Sequence, residues 1–164
     1  LVSRIFDDFA ELHGDRSFRD DPAMVGGPAL LEGRPVMVIG HQKGTDTESN
    51  IQRNFGSPHP EGFRKAQRLM RLAEKLGMPV VTLLDPAGAF PGPAAEERGQ
   101  AEAIATSIKQ MTALQVPIVA VMSGTSAALR NTGAPVNDEL RALNFGNANP
   151  EPWTERPAWY GPNP

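Results

Sequence analysis

The chain has 164 residues, of which 40% are hydrophobic and 21% charged, as expected for one globular domain or one domain with a tail. A net charge of −3 gives no electrostatic reason to expect nucleic acid or an anionic membrane as the main partner. The absence of cysteine excludes disulfides, a Cys-ligated zinc and a thiol nucleophile.

The sequence gives no sign of export or of insertion into a membrane. It has no apolar run near the roughly 20 residues of a membrane span, and no signal-peptide pattern opens it. We therefore expect a cytoplasmic protein. The chain begins with Leu1 rather than Met, which favours a fragment of a longer protein.

The N-terminal part predicts a helix followed by a β-hairpin. Ser3 can cap the helix, and Gly14 lies just past its end. The apolar residues on one face of this helix are Ile5, Phe6, Phe9 and Leu12. Two extended runs, Met24–Leu31 and Pro35–His41, are joined at Glu32-Gly33, which is typical of a hairpin. Residues 42–60 are polar and turn-rich, and a loop of that length is functional or disordered.

Two helix-to-strand units follow the hairpin. A helix over about 61–76, ended by Gly77, leads into a buried strand over 78–84. Its predicted inward residues are Phe63, Ala66, Leu69, Met70, Ala73 and Leu76. A second helix over about 95–114 leads into a strand over 116–122. Its predicted inward residues are Ala101, Ile104, Ala105, Ile108, Met111 and Leu114. Buried strands joined by helices predict an α/β fold with right-handed parallel crossovers.

Residues 1–124 and 125–164 differ in composition. The second segment is rich in Pro and Asn and holds Trp153, Trp159 and Tyr160. Its prolines remove backbone donors and fix φ, so we expect an irregular or disordered tail apart from a short helix over about 137–143. The predicted organisation is a core over 1–124 and a divergent tail over 125–164.

The loop between the two units is the candidate functional element. It runs Asp85-Pro86-Ala87-Gly88-Ala89-Phe90-Pro91-Gly92-Pro93 and follows a parallel strand, where open α/β sheets place ligands. Its glycines permit positive φ and close approach to a ligand, while its prolines stiffen it. The alternative interpretation is a rigid turn whose following acids, Glu96 and Glu97, only cap a helix.

Other candidates carry weaker signals. The histidines, His13, His41 and His59, lack metal-ligand spacing and are interpreted as structural or surface residues. Ser123 lacks the Gly-x-Ser-x-Gly spacing of a nucleophile elbow, because Val121 and Thr125 stand where the glycines would be. The basic residues of the first long helix predict a solvated face or a contact with a phosphate or acidic partner. They are Arg64, Lys65, Arg68, Arg71 and Lys75.

A series of motifs in fixed order resembles the carboxyltransferase alpha subunits of bacterial acetyl-CoA carboxylase, over roughly residues 4–124. The motifs are Gly14-Asp15-Arg16, Val25-Gly26-Gly27, Gly40-His41-Gln42-Lys43-Gly44, Arg53-Asn54-Phe55-Gly56, Pro60-Glu61-Gly62-Phe63-Arg64-Lys65-Ala66, Asp85 with Gly88-Ala89-Phe90-Pro91-Gly92, and Ala95-Glu96-Glu97-Arg98-Gly99-Gln100. The resemblance implies a crotonase-like (ClpP/crotonase) superhelix of repeated β-β-α units, present here in part.

The resemblance also implies a reaction and its components. A carboxyl group would pass from carboxybiotin, carried on a biotin carrier protein, to acetyl-CoA, giving malonyl-CoA for fatty-acid synthesis. A zinc-containing beta subunit would bind acetyl-CoA, ATP would be used upstream by a biotin carboxylase, and this chain would hold no metal. The carboxybiotin-side loop would be Gly88, Ala89, Phe90, Pro91 and Gly92. Glu97 and Arg98 would support it.

The sequence departs from the family pattern in three places, one of which is that we expect the chain to be truncated at both ends relative to the family. Pro86 and Ala87 stand where the family has Thr and Pro. The family's glycine-rich run, which would supply the biotin-side oxyanion donors, is absent after Gly124, where the chain reads Thr125-Ser126-Ala127. The catalytic donors are therefore not assigned. Two alternatives stay open: an inactive fragment that binds only partner subunits, and a related acyl-CoA carboxyltransferase or decarboxylase subunit.

Overall fold

A four-stranded mixed sheet organises the protein. The structure is a computed structural model that describes residues 2–85 and 88–122. The strands, in spatial order, are β1 (Met24–Leu31), β2 (Arg34–His41), β3 (Val80–Leu84) and β4 (Ile118–Met122). β1 and β2 are antiparallel, whereas β2–β3 and β3–β4 are parallel. The predicted α/β class, hairpin and both parallel strands are confirmed. β3 is buried as predicted, whereas β4 is largely exposed. The predicted tail over 125–164 lies outside the described residues.

Five helices connect or flank the strands in the described part of the chain. They are α1 (Val2–Ile5), α2 (Thr47–Gln52), α3 (Pro60–Leu76), α4 (Pro93–Glu97) and α5 (Gln100–Ala113). The polar segment 42–60, predicted as a loop, thus contains α2 and a 3-10 turn at Asn54–Gly56. α3 ends as predicted, with Gly77 in the left-handed conformation at φ 67°. Among described residues, no helix combines the length and apolarity that crossing a membrane requires.

The core has two parts, one on each face of the sheet. Alternate residues of β2 point to opposite faces, so Met37 and Ile39 contribute to one part while Val36 and Val38 contribute to the other. α3 covers the first face through Ala66, Leu69, Met70 and Ala73. N-terminal residues cover the second face, where Phe6 is buried. β2 is therefore enclosed on both sides, as expected of a strand in an α/β sheet.

The predicted N-terminal helix is wrong beyond Ile5. From Asp7 onward the backbone runs along the outer edge of β1, where Asp7 exchanges two hydrogen bonds with Leu30 (2.8 and 2.9 Å). Farther along, Ala10 N–H donates to Pro28 O at 3.0 Å and Leu12 N–H to Gly26 O at 2.9 Å. An isolated helix of this length is marginal, whereas the edge of β1 offers unpaired carbonyl groups. The edge contact therefore replaces the helix.

The second predicted helix is broken in two, and its predicted inward face is wrong apart from its end, where Leu114 packs against the core. Gly99 has φ 80°, which turns the chain between α4 and α5. The buried residues of α5 are Gln100, Ala103 and Ser107, whereas Ile108 is 56% exposed. Polar contacts set this orientation, because Gln67 of α3 donates to Ala103 O (2.8 Å) and to Ser107 Oγ (3.0 Å).

The basic residues of α3 hold the N-terminal segment rather than forming a solvated face. Lys65 is fully buried, and its Nζ contacts Met24 O (2.9 Å), Asp20 Oδ1 (2.9 Å) and Glu11 Oε1 (3.2 Å). Arg68 donates to the carbonyls of Gly14 and Leu12. Only Arg71 and Lys75 of the five predicted surface cations are exposed. Leu76, predicted to point inward, is also exposed, because it lies in the last turn beyond the sheet.

Replacing Lys65 by Met should lower the free energy of unfolding by roughly 2–3 kcal/mol, because Met fills the space but pairs with neither carboxylate nor the Met24 carbonyl. Urea unfolding of the full chain measures this loss. The matched control is Lys75→Met on the exposed end of the same helix, where we expect a change within about 0.5 kcal/mol. Equal losses of stability at both positions would contradict a stabilising role for the contacts of Lys65.

Candidate functional site

The carboxyl ends of β2 and β3 lie side by side and form one edge of a cleft. β2 ends at His41 and β3 at Leu84, and Lys43 Nζ lies 2.7 Å from Asp85 Oδ1 across the gap. A cavity of about 720 Å³ opens here, lined partly by His41, Lys43 and Asp85. Parallel sheets place ligands at this edge. Asp85 is also the residue from which the predicted loop starts.

A tight turn directs Lys43 toward Asp85. Asn54, Phe55 and Gly56 all have positive φ (46°, 54° and 80°), a conformation in which the two non-glycine residues cost of order 1 kcal/mol or more each. A Cβ on Gly56 would come within 2.7 Å of Lys43 Cγ, so only glycine lets the turn pack against the lysine stem. Phe55 is left 60% exposed beside this turn.

His41 brings an uncharged imidazole to the same cleft. Burial lowers the pKa of His41, and the nearby Lys43 adds to that effect, while Asp85 opposes it. The ring is therefore neutral at neutral pH. Its Nδ1 is buried and accepts no hydrogen bond from the described residues. The spacing of the histidines predicts only a structural or surface role for His41; the signal for its place in the cleft is the Gly40–Gly44 motif directly after a strand.

The predicted loop, Gly88–Gly92, is seated on the segment before α3. Phe90 N–H donates to Pro58 O at 3.0 Å, and the Phe90 ring stacks on the His59 ring with a centroid distance of 4.2 Å. The same ring folds back over Gly92, where a Cβ would collide with it. Gln100 donates from Nε2 to both Pro58 O (2.9 Å) and Phe90 O (3.3 Å). Phe90 is thus held from three sides.

The loop exposes its glycine end. Gly88 is exposed and has φ 101°, and no atom of the described residues lies within 4 Å of a Cβ placed there. Pro91 is also exposed, whereas Ala89, Phe90 and Gly92 are half-buried. Pro86 and Ala87 lie outside the described residues. The requirement for glycine at position 88 is therefore one of backbone conformation rather than of space.

The two predicted supporting residues have different positions. Arg98 donates from Nε to the fully buried Glu61 on α3 and accepts from Arg64 Nη1 at its carbonyl (3.1 Å). The Arg98 guanidinium also lies 5.1 Å from the centre of the Phe18 ring. Glu97, by contrast, is exposed on α4. Arg98 therefore ties the α4–α5 turn to α3.

Two carboxylates of this region are stabilised in their charged form. Burial would raise the pKa of Glu61, but the hydrogen bond from Arg98, a backbone hydrogen bond and the charges of Arg98 and Arg19 together hold the pKa below its usual range. Burial likewise opposes ionisation of Asp15, yet the N–H groups of Phe18 and Ser17 and the Arg64 guanidinium lower its pKa. Both groups are charged at neutral pH.

Acid should therefore weaken the fold from about pH 4.5 downward. A carboxylate whose pKa is lowered by folding contributes stability above its unfolded pKa and loses it as the pH falls toward the folded value. Thermal unfolding of the chain between pH 7 and pH 3 measures this dependence. Glu61→Gln should give a lower midpoint at pH 7 and a shallower decline, whereas parallel curves would contradict a contribution from Glu61.

A group of possible metal ligands, of which Glu11 also lines the cleft, already has a cation. Glu11, His13 and Asp20 have ligand atoms within 4.8 Å of one another. The ammonium of Lys65 lies between the two carboxylates, and His13 Nδ1 is 2.9 Å from Asp20 Oδ2. The three side chains therefore lie close together because the carboxylates of Glu11 and Asp20 pair with Lys65 and His13 contacts Asp20.

Comparison with known proteins gives a consistent family. Residues 1–146 match the acetyl co-enzyme A carboxylase carboxyltransferase-like family. The match extends past residue 124, near which the motifs noted in the sequence end. The chain is 54% identical over 144 residues to a Geobacter metallireducens protein and 55% identical to one from Chromobacterium violaceum. Both are named acetyl-coenzyme A carboxylase carboxyl transferase subunit alpha. Each match covers 88% of this chain but 45% of the relative, so the chain spans less than half their length.

Solved structures agree on the fold. The beta subunit of geranyl-CoA carboxylase from P. aeruginosa superposes with a TM-score of 0.57 over 73% of this chain and 20% of that one, at 24% identity. Transcarboxylase 12S superposes with a TM-score of 0.60 over 74% of this chain and 22% of the other, at 22% identity. The predicted crotonase-like fold is confirmed by these neighbours.

Proposed function

The chain belongs to the acetyl co-enzyme A carboxylase carboxyltransferase-like family, and we propose that it supplies the carboxybiotin side of a carboxyltransferase. The reaction would transfer a carboxyl group from biotin on a carrier protein to acetyl-CoA, giving malonyl-CoA. The observation that supports this proposal is the Gly88–Gly92 loop, which follows β3 in the chain, is held by contacts of Phe90 with Pro58, His59 and Gln100, and leaves Gly88 exposed.

Carboxyl transfer from biotin requires hydrogen-bond donors to the ureido oxygen and does not require a side-chain nucleophile. Release of the carboxyl group leaves negative charge on the biotin ureido oxygen, and a preorganised backbone N–H stabilises such an oxyanion. The N–H of Phe90 is engaged by Pro58. Within residues 2–85 and 88–122, the N–H groups of Gly88 and Ala89 make no hydrogen bond, so they are the donors that the loop leaves for substrate.

This reaction does not require a catalytic triad, and the sequence carries no triad motif. The ureido nitrogen of biotin can itself accept the alpha proton of acetyl-CoA, so no side-chain base is obligatory. The neutral His41 and the Lys43–Asp85 pair border the cleft, and Lys43 holds Asp85, the residue from which the loop starts. These groups would shape the entrance and orient the loop, while the peptide groups of the loop contact the substrate.

The partners belong to the same proposal. A beta subunit that holds zinc would bind acetyl-CoA and complete the site, and the biotin carrier protein would deliver carboxybiotin. The whole assembly would work in the cytoplasm. Val119 of β4 and Ile108 of α5 are apolar and exposed. We propose that a partner subunit packs against this part of the described chain.

The test uses a full-length hybrid subunit, in which residues 1–122 of this chain replace the matching segment of the Geobacter metallireducens relative. The hybrid is combined with the relative's beta subunit, and malonyl-CoA formation from carboxylated carrier is measured. We expect turnover with acetyl-CoA within about tenfold of the unaltered relative. Turnover only with a longer acyl-CoA would instead favour a related carboxyltransferase, and no turnover with any acyl-CoA would contradict the proposal.

A further inference from the structure

Gln100 is a buried residue that holds the functional loop without belonging to it. It is the first residue of α5 and only 3% exposed. Its single amide nitrogen donates to two carbonyls, Pro58 O before α3 and Phe90 O within the loop. Each of these carbonyls would lose a buried donor if the amide were removed. Gln100 therefore joins the loop to the segment on which it rests.

His59 supports the same loop from the side of its aromatic ring. The His59 and Phe90 rings are stacked at 4.2 Å with an interplanar angle of 24°. Asn54 Nδ2 lies 3.0 Å from His59 Nδ1, so the Asn54 amide donates to a neutral imidazole. The His59 backbone N–H donates to Asp21 Oδ2 at 2.7 Å. The ring is thus fixed before it contacts Phe90.

Resting on the proposed function, we propose that Gln100 and His59 are positioning residues, which set the backbone of Gly88 and Ala89 by fixing Phe90. A glycine-containing loop has many conformations, and an oxyanion donor acts only when held within about half an ångström of its place. Gln100 fixes the Phe90 carbonyl, Pro58 accepts from the Phe90 N–H, and His59 fixes the ring. Because Ala89 and Gly88 directly precede Phe90 in the chain, fixing Phe90 restricts the orientation of their peptide groups.

The chain offers a matched control for Gln100. Gln67 is also a buried glutamine, 4% exposed, whose Nε2 donates twice, to Ala103 O and Ser107 Oγ. It joins α3 to the middle of α5, and its side chain donates no hydrogen bond to Gly88–Gly92. Gln100→Met and Gln67→Met remove the same chemical group, and only the first removes it from the loop.

The activity arm uses the hybrid subunit with its beta subunit. We expect Gln100→Met to lower kcat at least tenfold with KM for acetyl-CoA within twofold, because a misplaced donor weakens the transition state and not acetyl-CoA binding. Gln67→Met should lower the melting temperature while kcat stays within twofold. Equal kcat for the two variants would overturn the proposal.

A second experiment measures how firmly the loop is held at Phe90 and does not depend on catalytic activity. Hydrogen exchange of the amide of Phe90, followed in the full chain by mass spectrometry with fragmentation, should accelerate about tenfold in Gln100→Met and stay unchanged in Gln67→Met. Unchanged exchange in Gln100→Met would overturn the anchoring. If the unaltered hybrid shows no turnover while the exchange result holds, the proposed function fails and the anchoring of the loop stands.

The histidine is tested by rescue. His59→Ala removes the ring that stacks on Phe90, whereas His59→Phe keeps a ring of similar size and loses only the nitrogen contact to Asn54. We expect kcat of the hybrid to fall about tenfold in His59→Ala and to recover to within threefold in His59→Phe. Equal losses in both variants would overturn a positioning role for the stack.

Discussion

The 164-residue chain, combined with a beta subunit, should catalyse carboxyl transfer at least a hundredfold more slowly than the hybrid subunit. The family resemblance places oxyanion donors in a glycine-rich run directly after the second parallel strand. Here Gly124 is followed by Thr125, Ser126 and Ala127. Loss of one or two such donors costs roughly 3–8 kcal/mol of transition-state stabilisation, which corresponds to about two to six decades in rate.

The assay is decarboxylation of malonyl-CoA in the presence of biotin, with the chain and the hybrid compared at equal concentration. Hydrogen-exchange protection of β2 and β3 in the chain controls for simple failure to fold, because their amides are paired in the described structure. A protected but inactive chain supports the role of the missing run. Turnover within tenfold of the hybrid would show that the donors lie elsewhere.

The parts of the fold that the sequence predicted are those with local signals. β3 and β4 are continuous apolar runs beginning near a proline, and the structure has strands at Val80–Leu84 and Ile118–Met122. The hairpin turn also follows from two residues, since Glu32 and Gly33 both have positive φ, as a type I′ turn requires. In these cases neighbours in sequence determine the conformation.

The errors arose where distant partners determine the conformation. Periodicity alone could not show that Asp7 and Leu12 would bond to the edge of β1 instead of continuing a helix. It could not show that Lys65 would be buried, because its carboxylate partners lie more than forty residues earlier in the chain. The inward face of α5 was wrong for a similar reason, since a glutamine from α3 sets its orientation.

In the site as well, features with local sequence signals could be predicted and contacts between distant residues could not. The Gly88–Gly92 loop could be predicted from its glycines, its prolines and its position after a buried strand. Its anchors could not be predicted, because Gln100 and Lys43 carry no local pattern that reveals which carbonyl or carboxylate they contact. Arg98 was predicted as a support from the family resemblance, and the structure adds the Glu61 contact through which it reaches α3.

Gly88 provides the sharpest test of whether the loop is catalytic or only a turn. Its φ of 101° is strained for any side chain, yet a Cβ there would meet no atom of the described residues within 4 Å. Gly33, in the turn between β1 and β2, has the same two properties, with φ 75° and open space. Valine at either position should therefore lower stability by about 1–3 kcal/mol through backbone strain.

The two substitutions should differ in activity. In the hybrid subunit, Gly88→Val should reduce carboxyl transfer at least a hundredfold, because relief of the strain rotates the peptide groups that would face the ureido oxygen. Gly33→Val should leave turnover within threefold, since the strained turn lies at the opposite end of β2 from the cleft. Unfolding midpoints and initial rates are measured on the same preparations. If both variants lose stability and activity in equal proportion, Gly88 serves the fold alone and the loop is a structural turn.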